Sequence, residues 1–471
     1  MFAKKRIAIL TLVLLACAAM LFGACAPTDP PDDSILKELV DTSSEVELLP
    51  ESDYLAENEY MTINTVLSVT PTNVAVFGQL TEKAISEGID SVRLSGGVDL
   101  VSQEQCVDGY FIIAIDLPGA SRTTFAATAI KGEEEIGEPL TFSAPYDATA
   151  EGRLDGNSVS VGKNSGLYFT KYLDNYLSKS LYTASQVDTI KKTVSSTYRA
   201  YVERAKGNKV GMVYVFVPDV TTMAPEIFAD KDVAEKDPDL LTRYEQIVTA
   251  ISGTMANVVD MKTVLQEQLD NGVSIYDLYR RTDSHPTEYA ALLMYQEVMK
   301  HIANADPDVS IRELDEYKAE KVTALGGDYV KYRDLDPELI TEEITLYKPT
   351  FSYHSAVKAI KVYNDDKNGD YSLFTTINSG DQYTGGAERV VVDTDRTELP
   401  NVMIYRDECG IAASVMIADS CDVTLLGKNG DFAISLTDAG QYRDKDEGKS
   451  MMDYIVVFVS ESNIANAFVA D

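Results

Sequence analysis

The chain has no tryptophan, three histidines and five cysteines in 471 residues. It is also short of positive charge: 41 Lys and Arg stand against 75 Asp and Glu, a formal net charge of −34. Each shortage excludes something. A chain this acidic repels nucleic acid and other anionic polymers as simple electrostatic ligands, so no nucleic-acid partner is expected. Cys106, Cys409 and Cys421 are too few to form a disulfide framework once Cys17 and Cys25 of the N-terminal segment are set aside. No Cys-x-x-Cys spacing suggests zinc, and neither a metal nor a cofactor is expected. Histidine chemistry has only His285, His301 and His354 to draw on. Beyond the N-terminal segment no apolar run is long enough to span a membrane.

What is present begins with a targeting segment. Lys4, Lys5 and Arg6 precede an apolar run from Ile7 to Phe22, the pattern of a signal peptide. The run closes in Leu21-Phe22-Gly23-Ala24-Cys25. Small residues just before a cysteine resemble a bacterial lipobox, in which the cysteine is lipidated and becomes the first residue. Residues 1–25 are therefore read as a lipoprotein signal peptide with Cys25 as the lipidation site. An ordinary secretory signal or an uncleaved anchor helix is the plainer alternative. Residues 26–60 hold Pro27, Pro30 and Pro31 and many acids. Such a stretch cannot bury enough apolar surface to order itself, and reads as an acidic linker. The expected location is outside the cytoplasm, lipid-anchored to the bacterial membrane.

About 410 residues remain, enough for two or three domains. Residues 61–146 read as all-β. Asn73 to Leu80, Tyr110 to Leu117, Thr123 to Ile130 and Leu140 to Ser143 are rich in β-branched and aromatic residues, with turns at Ser95-Gly96-Gly97, Pro118-Gly119 and Lys131-Gly132. Short strands at this spacing predict a small immunoglobulin-like β-sandwich, a spacer or a sugar-binding unit. From residue 147 onward helical and strand patterns alternate. Val210 to Val217 is a continuous apolar run, as expected for a strand covered on both faces. Leu173 to Ala205, Asp239 to Thr254 and Lys262 to Asp270 read as helical, Val402 to Tyr405 and Tyr454 to Val459 as strands. The fold class predicted for 147–471 is α/β, three layers around a mainly parallel sheet. In such sheets the functional crevice lies at the carboxyl ends of the strands. Asn364 to Asp370 looks superficially like a calcium loop, but its twelfth position is Thr375 rather than a glutamate, and Asn368-Gly369 is more simply a hairpin turn.

Two segments carry candidate chemistry. In Thr282-Asp283-Ser284-His285-Pro286, an Asp and a His stand at a spacing suited to an acid–base pair. Pro286 fits a first helical position with Glu288 near it, so Asp283 and His285 would equally serve as helix caps. The second segment is Asp407-Glu408-Cys409-Gly410, at the turn after an apolar strand.

Several segments in order resemble the alginate O-acetyltransferase-like and "DHHW" proteins, an SGNH-hydrolase-like group. They are Asn157 to Tyr168, Val215-Phe216-Val217-Pro218-Asp219 with Ala224-Pro225-Glu226, Thr282 to Ala291, Gly327-Asp328-Tyr329, Glu343 to Pro349 and Asn401 to Gly410. The resemblance covers roughly residues 155–471. It implies that Asp283 and His285 support a serine that accepts an acetyl group and passes it to a sugar hydroxyl. Here the serine position falls on Glu408, and the tryptophan that follows the histidine falls on Pro286. A glutamate there gives no durable acyl-enzyme, and its charge favours the imidazolium of His285. Cys409 is the alternative nucleophile, although adjacent residues at a turn point in different directions. Cys409 and Cys421 bracket a helix, too far apart for a disulfide. The resemblance thus implies a degenerate SGNH-like domain, a binding or accessory component in cell-envelope polysaccharide O-acetylation. An active O-acetyltransferase or acetylesterase on a surface polysaccharide is the alternative. The expected partners are that polysaccharide and, through the lipid, the membrane.

Overall fold

The computed structural model describes residues 55–468 except 71–72, 97–99, 117–122, 145–158, 164, 206–208, 229–232, 332–339, 351–358, 364–388, 395, 435 and 437–451. Cys25 and the turn at Asn364 to Asp370 lie outside the described residues.

Among the described residues, the N-terminal part holds eight strands: β1 (Ala56–Glu57), β2 (Met61–Thr70), β3 (Asn73–Leu80), β4 (Ser91–Gly96), β5 (Leu100–Gln105), β6 (Tyr110–Asp116), β7 (Thr123–Lys131) and β8 (Glu134–Ala144). They form two four-stranded sheets in the orders β1-β2-β3-β6 and β5-β4-β7-β8, with every neighbouring pair antiparallel. Val74, Val76, Phe111 and Ile113 from one sheet share a core with Val92, Leu94, Phe125 and Ala127 from the other. The alternation along each strand is what puts these residues on the inner faces. Gly78 is required by a close approach: a Cβ there would lie 2.2 Å from the Phe111 ring. Folded structure starts inside the segment read as a linker to residue 60. Ala56–Glu57 pairs with β2, and Tyr60 is buried under the sandwich.

The C-terminal part opens with a small antiparallel pair, β9 (Val159–Val161) and β10 (Leu167–Phe169). Its main sheet has seven strands. In chain order they are β11 (Gly211–Val217), β12 (Asn257–Asp260) and, after the two-stranded ribbon β13 (Tyr317–Ala324) and β14 (Glu342–Pro349), β15 (Ala359–Tyr363), β16 (Arg389–Asp393), β17 (Val402–Arg406), β18 (Val423–Asn429) and β19 (Tyr454–Ser460). The sheet order is β12-β11-β19-β17-β18-β16-β15. Pairings from β12 to β18 are parallel, whereas β16 and β15 enter antiparallel. The sheet is therefore mixed. β15 pairs with Arg389–Asp393; the hairpin read around Asn368-Gly369 lies outside the described residues.

Helices cover both faces. Val213, Val215 and Val217 of β11 pack with the helices Met261–Asp270, Glu288–Ala305 and Ile411–Asp419. Met212, Tyr214 and Phe216 pack with Ala184–Ala205 and Arg243–Ser252. Alternate residues of one strand thus feed two cores, which is why the run is apolar throughout. Thr242 closes a capping box with Glu245, starting its helix later than the hydrophobic pattern alone suggested.

The two parts share packing. Ala75, Phe77 and Ile112 of the sandwich join the larger α/β core. Ser165, fully buried at φ 56°, accepts the Ile112 N–H at 3.0 Å and donates to the Gln105 carbonyl at 3.1 Å.

Candidate active site

The segment bearing Asp283 and His285 is a closed loop. Tyr279 and Pro286 form an isolated bridge, and Arg280 N–H donates to the His285 carbonyl at 3.2 Å. The next helix runs Glu288–Ala305 and is capped by Thr287, whose hydroxyl accepts from Ala290 N–H. Pro286 is thus not the first helical residue, and Asp283 and His285 are not its caps. A threonine at N-cap outcompetes the proline placement because its oxygen satisfies an otherwise orphaned donor.

Buried acids hold the loop in shape. Glu342, at the start of β14, accepts from Arg281 N–H at 2.6 Å and from Thr282 N–H at 3.2 Å, with the Thr282 hydroxyl on its other oxygen at 2.6 Å. Arg280 bridges this carboxylate at 2.9 Å and Asp283 at 3.0 Å. Asp328 accepts the Ser284 N–H at 2.7 Å and the Ser284 hydroxyl. Gly327 lies against Asp283, and a Cβ there would come within 2.3 Å of its carboxylate. From the sandwich, the Tyr110 ring covers the Arg281 guanidinium at 4.5 Å, a cation–π contact strengthened by burial.

Asp283 and His285 are in direct contact through Nδ1, and the His285 N–H also donates to Asp283 at 3.1 Å. Burial by itself would raise Asp283, but the charges of His285 and Arg280 and the bonds from His285 outweigh it and hold this carboxyl well below the usual range. Burial by itself would lower His285. The Asp283 charge and hydrogen bond, then Asp328 and Glu408, outweigh it and raise the imidazole to about 9. Burial and the Asp283 charge push Asp328 up to about 7 against the pull of His285 and Ser284.

The second segment follows β17, whose five residues are all buried. Asp407, fully buried, accepts from Cys409 N–H at 3.2 Å, Ser460 N–H at 2.8 Å, the Ser460 hydroxyl at 2.7 Å and Asn463 at 3.0 Å. It anchors the turn to the end of β19. Glu408 is half-buried and lines, together with His285, both lobes of a cleft above the sheet. The smaller lobe descends to Asp219, Tyr279 and Asn463; the larger runs past Ile344, Leu346, Ile411 and Val415. Cys409 borders the cleft but is buried, and its thiol donates to Asp407 at 2.7 Å. Burial, then the Asp407 charge and bond, push this thiol well up. Cys409 and Cys421 are both free thiols.

Asp283, His285 and Asp328 each place one possible ligand atom within 4.8 Å of the others. Their oxygens are already taken, by Arg280 and His285 on Asp283 and by Ser284 on Asp328. The cluster is a hydrogen-bonded network in which cations of the protein itself fill the place of a metal. Asp328 was legible only as part of Gly327-Asp328-Tyr329, without a role. Glu342, Ser460 and Asn463 gave no signal of their own in the sequence.

Residues 159–355 match the family model described as the SGNH hydrolase-like domain of acetyltransferase AlgX. That match bears out the resemblance read from the motifs. It ends before Asp407, so the standing of Glu408 rests on its place after β17. Solved structures to which the chain is similar include the following three. One is a DHHW family protein from Eubacterium siraeum, at 14% identity over 67% of this chain and 93% of that one, TM-score 0.43. The second is Bacillus cereus PatB1 with a sulfonyl adduct, at 12% identity over 66% and 96%, TM-score 0.46. The third is the O-acetyltransferase domain of Pseudomonas putida AlgJ, at 11% identity over 67% and 94%, TM-score 0.38. No curated protein sequence matches the chain. Among the described residues no helix is long and apolar enough to cross a membrane.

Proposed function

We propose that this protein is an extracytoplasmic, Cys25-anchored lipoprotein that serves polysaccharide O-acetylation in the cell envelope as a binding or accessory component. The observation that carries the reading is Glu408. It occupies the first position after Asp407 at the carboxyl end of a central strand, in one cleft with His285. An acyl-transfer site of this family needs a hydroxyl there and a neutral imidazole beside it. Here there is a carboxylate, and His285 is raised to about 9, so at neutral pH it is an imidazolium and no base. Asp283 and Arg280 then complete an ion-pair network rather than a proton relay.

Cys409 as nucleophile is the less supported alternative. Its thiol is buried, bonded to a carboxylate and pushed toward the protonated form, the reverse of an activated thiolate. The order β2-β3-β6 over β5-β4-β7-β8 supports an immunoglobulin-like reading of the sandwich, which acts as a spacer. Its contact with the loop through Tyr110 makes it a brace as well. The test is paired. The wild-type protein should show no His285-dependent turnover of p-nitrophenyl acetate, and should be retained on O-acetylated polysaccharide. Turnover that disappears in both His285→Ala and Cys409→Ala would replace this reading with the cysteine enzyme.

A further inference from the structure

Below the cleft two acids meet that the acyl-transfer geometry does not use. Asp219 follows the end of β11 and Glu461 follows the end of β19, parallel neighbours in the sheet. Asp219 is 6% exposed and Glu461 1%. The Asp219 backbone N–H donates to Glu461 Oε2 at 3.0 Å, which seats the Glu461 carboxylate against the Asp219 backbone, close enough for its charge to act on the Asp219 carboxyl. Among the described residues, neither Asp219 Oδ2 nor Glu461 Oε1 meets a donor, and both atoms are buried. A buried acceptor without a donor is expensive, and two adjacent carboxylates doubly so. One proton removes both costs: it turns one oxygen into a donor for the other and leaves a single negative charge on the pair. Paired carboxylates elsewhere settle the same conflict in the same way.

We propose that Asp219 and Glu461 share one proton, and that this acid–carboxylate pair clamps the end of β11 to the turn after β19 beneath the cleft. That turn carries Ser460 and Asn463, which hold Asp407. The clamp therefore sets the floor on which Glu408 sits. The surroundings agree in sign. Burial and then Glu461 raise Asp219, against Lys171 and the Ser462 N–H and with Asp407. Burial raises Glu461, against the Asp219 N–H, the Thr222 hydroxyl and Lys262 and with Glu245. Tyr172, Tyr279 and Tyr244 also face the pair, and their phenols stay neutral, pushed up chiefly by burial. A carboxyl raised in the folded state supplies stability below its unfolded value, near ~4, and loses it as pH rises through the folded value.

The experiment combines infrared difference spectroscopy with hydrogen exchange on the full chain. At neutral pH the carbonyl stretch of one protonated carboxyl should disappear in Asp219→Asn and again in Glu461→Gln, with Asp328→Asn as the control for the other raised acid. In the wild type, amide protection over residues 460–466 should fall about tenfold per pH unit above the unfolded carboxyl value, about 4, and level off once the folded pair ionises. In Glu461→Gln, where an amide donates permanently to Asp219, that dependence should vanish. An acid band unchanged in both single variants, or wild-type protection that follows the same pH course as Glu461→Gln, overturns the shared proton.

Discussion

If Glu408 holds the nucleophile position, as proposed, replacing it by serine supplies the hydroxyl that acyl transfer needs, and the surroundings of His285 set how far that goes. Of the influences that raise His285, Glu408 is the smallest; Asp283 and Asp328 remain in Glu408→Ser. Removing it should lower the imidazole from about 9, while Asp283 and Asp328 continue to raise it. An imidazole at about 9 is about 1% neutral at pH 7 and about 10% neutral at pH 8, and removing the Glu408 charge lifts both fractions. General-base assistance contributes about a hundredfold at its low end. Hydrolysis of p-nitrophenyl acetate by Glu408→Ser at pH 8 should therefore exceed the wild type by roughly tenfold or more. The gain should rise with pH until His285 is neutral, and vanish in Glu408→Ser with His285→Ala. Proton NMR of the imidazoles checks the first step, since His301 is lowered by partial burial and so separates from His285. If His285 titrates as expected in Glu408→Ser and hydrolysis still equals the wild type, or if the gain survives His285→Ala, the placement of Glu408 at the nucleophile position is wrong.

Two further outcomes follow from the same residues. Because Asp283, with help from Asp328 and Glu408, outweighs burial and raises His285 from 6.5 to about 9, the stability from that network should be full below pH 6.5 and drain away as pH climbs through about 9. Asp283→Asn should flatten this alkaline decline in a denaturation series, and an unaltered decline would show that the pair is not ionised as described. Cys25→Ala, motivated by the lipobox-like run, should leave the precursor unprocessed or release the protein from membranes; normal processing with membrane retention would exclude the lipid anchor.

What could be read in advance followed from short-range physics. β11 declares itself by an apolar run covered on both faces, and Asp283-x-His285 needs only two residues to be seen. Glu408 stood out only through the family resemblance, which puts a serine at that position. The rest depends on partners distant in the chain. Glu342 grips Arg281 and Thr282 from some sixty residues away, and nothing near residue 342 announces that its carboxylate will be buried. Asp219 and Glu461 are separated by 242 positions and meet only because β11 and β19 are neighbours. The antiparallel entry of β15 and β16 had no local signal either, since a strand's own pattern does not say which way its neighbour runs. Thr287 could have been recognised as the cap; Pro286, equally plausible locally, took its place in the reading.

Ser165 gives the molecule a mechanical property. Its hydroxyl ties two backbone positions of the sandwich, Ile112 and Gln105, to the start of the α/β part, while Tyr110 leans on Arg281 beside the cleft. With Ala75, Phe77 and Ile112 packed across the joint, there is no swivel between the two parts at this point. A load applied to a polymer held in the cleft would pass into the sandwich as into a handle, and the aim of the cleft would be fixed by how the strands β1 to β8 are presented.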